Sequence, residues 1–440
     1  MNYIAKIGLL LSIGSLSPLY AQKQYSLQEC IDYAMTHNIS IQNAGIQSKI
    51  AENNIKMSKG NRLPTVNSSL SQSANFYMSD NASTNGNFTT RLDAISANWT
   101  VFDGFQNLKN HQKSLIDKDI ADKNTEVLKN DISLNIANAY LQVLFNKELV
   151  KVSENQLDLS NKQLKIVQTQ FKAGSVPQAN IVDAEATVAQ DELTLTQRKN
   201  SVSSSLLNLK QLMQVPAEET FDVQPIDADN YMNRLAVKTP AEIYEIAVAQ
   251  RAEIQLAELN IKSAEKSIEI AKAAKLPTVS LGYNFGTVYN KVNGGYNSAF
   301  TDQVWDNLGH QLSATLSIPI FNGWKNETNY KNAQLNQEKY NFDLQNQKYT
   351  LRQNIEMAYL EAINAKKTYE ASQKSMTSRA LALDYTQKRY EIGSVNLFDF
   401  ETARNNWISA QGTLAQAKYD FLFKVKVLQF YAGWSLGEEL

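Results

Sequence analysis

Leu276-Pro277-Thr278-Val279-Ser280-Leu281-Gly282-Tyr283-Asn284-Phe285-Gly286 alternates with period two. Val279, Leu281, Tyr283 and Phe285 point one way, and Ser280, Gly282, Asn284 and Gly286 the other. Successive side chains of a strand face opposite sides, so the stretch predicts a strand with one apolar and one small, polar face. Beyond a glycine-rich loop, Leu312, Ala314, Leu316, Ile318 and Ile320 oppose Gln311, Ser313, Thr315 and Ser317. An earlier pair is weaker but similar: Val66, Leu70, Ala74 and Phe76 oppose Asn67, Ser69, Ser71 and Ser73. Residues 88–102 then alternate less cleanly, ending at Ile95, Ala97, Trp99 and Val101. Each strand runs about 10–14 residues, enough to cross a bilayer when tilted. The polar faces read as uncharged, which suits a water-filled lumen. A soluble antiparallel sheet over a helix layer would show the same alternation.

The strands belong to an internal repeat. Leu63-Pro64-Thr65-Val66 recurs as Leu276-Pro277-Thr278-Val279, Ile41-Gln42-Asn43-Ala44 as Ile254-Gln255-Leu256-Ala257, and Ala51-Glu52 as Ala264-Glu265, all offset by 213. Further on the offset is 219: Phe102-Asp103-Gly104 matches Phe321-Asn322-Gly323, Ala139-Tyr140-Leu141 matches Ala358-Tyr359-Leu360, and Gly174-Ser175-Val176 matches Gly393-Ser394-Val395. The difference falls between the two strands of each half, which places a variable loop there. Residues 22–214 and 241–440 are thus two copies of one unit. Residues 215–240 join them and hold Pro216, Pro225 and Pro240, three of the chain's eight prolines.

Punctuation sets the element lengths. Eight Pro and 17 Gly in 440 residues fall well below the usual share of about 5% and 7%, so the turns are few. Residues 40–62 and 253–275 predict helices that end before Leu-Pro. Residues 104–172 and 323–392 contain no proline and predict helices of about 100 Å at 1.5 Å per residue. Ile120, Val127, Leu134 and Leu141 recur every seven residues, while Leu128, Ile132 and Leu144 mark a second apolar seam, as in a helix with neighbours on both sides. Each long helix reverses at Gly-Ser and returns over 177–214 or 395–432. The fold class is mainly α with membrane β: a duplicated unit of long coiled-coil helices plus four strands. Four strands cannot close a barrel, and an open edge is not tolerated in lipid. Two, three or four copies would supply eight, twelve or sixteen strands, so the β-barrel is oligomeric, while the two seams on each long helix suit a ring of helices, an α-helical barrel.

Other features narrow the class. A net charge of −1 argues against nucleic acid. One cysteine and the dispersed His37, His111 and His310 leave no metal site and no disulfide framework. No phosphate-binding Gly-Lys loop, nucleophile elbow or His-Glu-x-x-His occurs, so neither an enzyme nor a cofactor is expected. Residues 1–21 read as a cleaved export signal, with Lys6, an apolar core from Ile7 to Leu16 and Ala21 before the cut. Cys30 reads as a half-buried helix cysteine. No later apolar run is long enough for a transmembrane helix, so membrane entry would use strands.

The order of strand pair, long helix, Gly-Ser turn and return helix, all duplicated, resembles the TolC-type outer-membrane efflux family over essentially the whole mature chain. The most specific pieces are the Leu-Pro strand starts, the Phe-Asp/Asn-Gly motifs, and the turns Phe171-Lys172-Ala173-Gly174-Ser175-Val176 and Tyr390-Glu391-Ile392-Gly393-Ser394-Val395. The resemblance implies a homotrimer in the outer membrane with a large periplasmic portion. It would be a passive exit duct joined by a periplasmic adaptor to an inner-membrane pump of RND or ABC type. It implies an equatorial belt built from the N-terminal segment, residues 215–240 and the C-terminal tail. It places adaptor docking at Gly174, Ser175, Val176, Gly393, Ser394 and Val395. The family narrows its periplasmic entrance with two aspartates three apart. Asp399 matches the first, Thr402 stands at the second, and in the first half Asn180 and Asp183 take these places. Asp399 and Asp183 are therefore the gate candidates. Phe76, Tyr77, Tyr283, Phe285 and Tyr289 fit aromatic belts against outer-membrane lipid. The competing reading is a periplasmic coiled-coil scaffold outside the membrane, which has no need of four strands with a polar face.

Overall fold

A computed structural model describes residues 24–76, 86–226, 238–293, 295–434 and 436. The expected export signal and Tyr77 lie outside the described residues. The first half runs β1 (Gln24–Tyr25), α1 (Leu27–His37), α2 (Ile39–Gly60), β2 (Thr65–Asn75), β3 (Asn87–Phe102), α3 (Gln106–Lys172) and α4 (Ala179–Met213). After β4 (Asp222–Val223) the second half runs α5 (Pro240–Gln250), α6 (Ala252–Ala273), β5 (Thr278–Val292), α7 (Phe300–Asp306), β6 (Gly309–Ser317), α8 (Lys325–Glu391) and α9 (Leu397–Tyr431).

The repeat reaches further back than residue 41. At the start of α1 the Ser26 hydroxyl accepts from the Glu29 amide, and the Glu29 carboxylate accepts from the Ser26 amide. Thr239 and Glu242, again 213 residues on, make the same reciprocal cap on α5. Such a cap satisfies two otherwise orphaned amides. Both α3 and α8 have 67 residues, about 100 Å of helix. α2 and α4 pack along α3, and α6 and α9 along α8, so two shorter helices line each long one. α6 and α9 also lie against α3, which joins the halves side by side.

The four long strands form one antiparallel sheet in the order β2-β3-β5-β6. Register aligns Ile95, Ala97 and Trp99 with Phe285, Tyr283 and Leu281, and the last two with Leu312 and Ala314. This apolar face is exposed, with Leu70 at 71% and Leu312 at 82%. The other face carries Asn67, Ser69, Ser96, Asn98, Asn284, Gln311 and Ser313.

Three sequence expectations need correction here. The polar face is not uncharged, because Arg91 and Asp93 lie on it, opposite Val288 and Gly286. Ladder irregularities next to Asp93 and Thr100 account for the less clean alternation of β3, and the second leaves Val101, expected in line with Trp99, without a partner on β5. Ile318 and Ile320 fall beyond the end of β6 at Ser317, since Pro319 has no amide to give a ladder.

Each half leaves its sheet through two consecutive left-handed residues. These are Gly104 (φ +67°) and Phe105 (φ +71°) in the first half, and Gly323 (φ +62°) and Trp324 (φ +67°) in the second. Phe102 and Phe105 meet edge to face at 5.4 Å, and Phe321 and Trp324 at 5.9 Å. A left-handed aromatic costs on the order of 1–2 kcal/mol, which these ring contacts help offset.

The buried core surrounds the middle of the long helices. Ile136, Ala137, Tyr140, Leu141, Val143 and Leu144 of α3 pack on α1, on the end of α4 and on Phe221 and Val223. The Tyr140 hydroxyl donates to the Gln224 carbonyl at 2.9 Å, which fixes the joining segment to α3. Of the heptad seam, Leu141 is buried while Ile120, Val127 and Leu134 are half-buried. In the second half Leu351, Ile355, Ala358 and Ala362 of α8 meet Ile243, Ile254, Phe421, Val425 and Leu428.

Cys30 is fully buried in the first core, rather than half-buried as expected. Burial pushes its thiol up to about 12, so thiolate is scarce at neutral pH. The folded protein should therefore resist maleimide over hours, and react within minutes once urea is added. Rapid labelling of the folded form would contradict this packing.

Candidate functional site

The Gly-Ser turns close the two long hairpins identically. After α3 the Ser175 amide donates to the Gln170 carbonyl at 2.9 Å and the Gly174 amide to the Phe171 carbonyl at 2.9 Å. After α8 the Ser394 amide donates to the Arg389 carbonyl at 2.7 Å and the Gly393 amide to the Tyr390 carbonyl at 2.9 Å. Bonds of this length and span stop a helix on a left-handed residue, and Gly174 and Gly393 have φ of +75° and +72°. Nothing lies within 4 Å of where a Cβ would stand on either glycine. Gly174, Ser175, Gly393 and Ser394 are exposed, and Val176 and Val395 half-buried. Two small, open surfaces thus sit at the end of the rods opposite the sheet.

Asp399 occupies the first turn of α9, where its amide donates to the Asn396 side chain at 2.9 Å. Its carboxylate is left free and exposed, where the helix dipole favours it. Asp183 is exposed one turn into α4. It borders a cavity of about 250 Å³ shared with Ser160, Gln163, Leu397, Phe398 and Arg404. Asp183 therefore faces the start of α9, while Asp399 is not part of that cavity wall.

Beside the cavity lies a buried polar cluster that sequence reading missed. Arg404 of α9 pairs with Asp191 of α4 at 2.8 Å and with Glu401 at 3.0 Å. Arg404 is 2% exposed and Asp191 3%. Ser160 and Gln156 of α3 donate to the same Asp191 carboxylate. Burial raises the Glu401 carboxyl above its ordinary value, opposed by the Arg404 charge and reinforced by Asp191. Arg404 Nε and Gln163 Nε2 have no protein acceptor among the described residues, and the neighbouring cavity has room for bridging water. A signal for this cluster exists in the sequence: Asp191 lies seven after buried Ala184, and Arg404 four after buried Phe400. Each is a charge on the buried stripe of a helix.

On the sheet, Phe76 and Tyr289 sit near the loop end, where they meet Phe88 and Phe300 edge to face at 6.2 and 5.0 Å. Tyr283 and Phe285 lie midway along β5 and contact His310. A second aromatic group, not singled out from the sequence, lies at the helix end of the sheet: Trp99, Phe105, Phe321 and Trp324, all exposed. Trp99 donates its indole N–H to the Arg62 carbonyl at 3.0 Å, the amphipathic pose favoured at a membrane boundary. Among the described residues no group of His, Cys, Asp and Glu could hold a metal ion.

The sequence profile described as Outer membrane efflux protein matches residues 30–214 and 243–433. The Escherichia coli protein named Cation efflux system protein CusC is 23% identical over 88% of this chain and 82% of its own length. The Pseudomonas aeruginosa protein named Alkaline protease secretion protein AprF is 21% identical over 79% of this chain and 70% of its own. A crystal structure of CusC superposes with a TM-score of 0.79 at 17% identity, covering 94% of this chain and 93% of that one.

Proposed function

This chain belongs to the outer membrane efflux protein family and is an exit duct of the tripartite efflux or type I secretion kind, in the outer membrane with a large periplasmic portion; from that premise we propose that it works as a homotrimer, docked by its hairpin tips to a periplasmic adaptor. One observation carries the reading: a four-stranded sheet, apolar on one face and polar on the other, whose β2 and β6 edges pair with no other strand among the described residues. Lipid tolerates such edges only when neighbouring copies close them, and three copies would make a barrel of twelve strands.

The roles then follow the geometry. Gly174 and Gly393, with no side chain and nothing crowding them, would let the adaptor's own helices approach the turns closely. Asp399 and Asp183 would line the narrow end, where carboxylates gathered about a symmetry axis would repel one another and attract cations. Energy would come from an RND or ABC pump, so the chain supplies a path, a gate and a docking surface without catalytic chemistry. Phe76 and Tyr289 would mark the outer membrane boundary and Trp99, Phe105, Phe321 and Trp324 the inner one, with Tyr283 and Phe285 between them facing lipid.

Single-channel conductance of the mature protein in a planar bilayer tests this. Stable, small, cation-preferring steps are expected. A protein that stays soluble without detergent and never inserts would overturn the duct. Asp399→Ala should weaken block by divalent cations and leave the assembly mass unchanged. Unaltered block would remove Asp399 from the gate.

A further inference from the structure

Among the described residues, Arg91 and Asp93 are the formal charges on the polar face of the four strands. Lys291 shares a sheet row with Phe88 on the opposite face. The pair is built in, not incidental. Two ladder irregularities converge on Asp93, one beside its β2 partner Ser69 and one between Asp93 and Ile95 on the β5 side. Such bulges re-aim side chains and recur next to functional positions. Asp93 is held from three strands: Arg91 Nε donates to its carboxylate at 2.9 Å, Asn284 Nδ2 at 2.9 Å and Ser69 Oγ at 3.3 Å. Across from it stands Gly286, where a Cβ would lie 2.3 Å from the Leu92 carbonyl. No side chain can therefore occupy that place on β5.

The two charges differ in what they offer the pore. Asp93 is 17% exposed and screened by its three donors, whereas Arg91 is 49% exposed. Among the described residues only Nε of Arg91 is engaged, which leaves both Nη groups without a hydrogen bond on a side chain that is half exposed. A guanidinium with free Nη groups matches phosphate, sulfate or carboxylate oxygens in a planar fork.

We propose that Arg91, oriented by Asp93, forms an anion-attracting ring in the barrel lumen that contacts anionic groups (phosphate, sulfate or carboxylate) on departing cargo. The proposal rests on the duct reading. A trimer would present three guanidiniums at one level of the strand wall, several residues inside the loop end, each beside the Asp93 carboxylate that holds its Nε. Asp93 is the positioning residue: its hydrogen bonds fix the arginine's Nε and leave the fork free.

The test is block of single channels by inositol hexakisphosphate added on the loop side, at low salt to limit screening. Wild type should be blocked, and Arg91→Gln should need at least ten times more of the anion. Asp93→Asn, which keeps the arginine and removes the screening carboxylate, should be blocked at lower concentration. Asp399→Ala should keep wild-type anion block, since its charge lies at the far end. Channels that ignore the anion, or Arg91→Gln channels blocked like wild type, overturn the ring and leave the duct intact. Absence of channels would overturn the duct, and the ring with it.

Discussion

Arg404→Ala should destabilise the folded protein by about 3–5 kcal/mol, the cost of leaving a buried carboxylate without its counter-charge. Asp191 is almost fully enclosed and keeps only Ser160 and Gln156 as donors once the guanidinium is gone. The pair also joins α4 of the first half to α9 of the second, so the loss falls on the contact between repeats. Chemical or thermal unfolding of detergent-solubilised protein measures the effect. The double variant Arg404→Met with Asp191→Leu should recover most of it, because replacing both charges removes the unpaired group. Equal instability of single and double variants would mean that shape, not charge, governs the site.

The same cluster has a pH signature. In the folded state burial holds the Glu401 carboxyl above its ordinary value, so its charged form is the costly one. Its stabilising contribution is present below the ordinary carboxylate range and is lost as pH rises through the folded value. Glu401→Gln should therefore remove that loss, with its advantage over wild type shrinking as pH falls.

Gly104→Ala should cost well over 1 kcal/mol, and Gly323→Ala at the equivalent junction distinctly less. Both glycines have positive φ, a conformation that charges any Cβ about 1–2 kcal/mol. Only Gly104 is also crowded: a Cβ there would stand 2.8 Å from the Ala273 carbonyl oxygen and 2.8 Å from Leu276 Cβ. Backbone at that distance must move, and this backbone is the end of α6, which packs on both α3 and α8. At Gly323 nothing lies within 4 Å. Parallel unfolding curves of the two variants measure the difference. Equal losses would show that the left-handed turn alone sets the penalty.

The architecture was largely legible because its signals are local and repeated. Scarce Pro and Gly announced the long helices, Leu-Pro marked where strands begin, and a shared offset tied the halves together. The reciprocal caps at Ser26 and Thr239 carried the same offset and could have extended the repeat to its first helix. What stayed hidden depends on contacts between distant segments. Arg404 and Asp191 are 213 residues apart yet are not repeat equivalents, so no internal comparison pairs them. The irregularities around Asp93 are set by three strands together, and simple alternation misjudged a face that carries two charges. The helix break at Asn38, where α1 passes to α2 without proline or glycine, is set by the Asn38 side chain capping Ser40 and Ile41.

The unpaired outer strands also dictate an order of events in biogenesis. A lone protomer laid into a bilayer would expose two rows of backbone donors and acceptors to hydrocarbon, each costing several kcal/mol. The same rows in water, flanked by an apolar surface, invite pairing with any passing strand. Neither solvent suits the finished sheet of a single copy. In the proposed oligomer, folding of the strands, mutual recognition of the copies and entry into the membrane would therefore be one coupled step, with the long helices free to form and find each other beforehand.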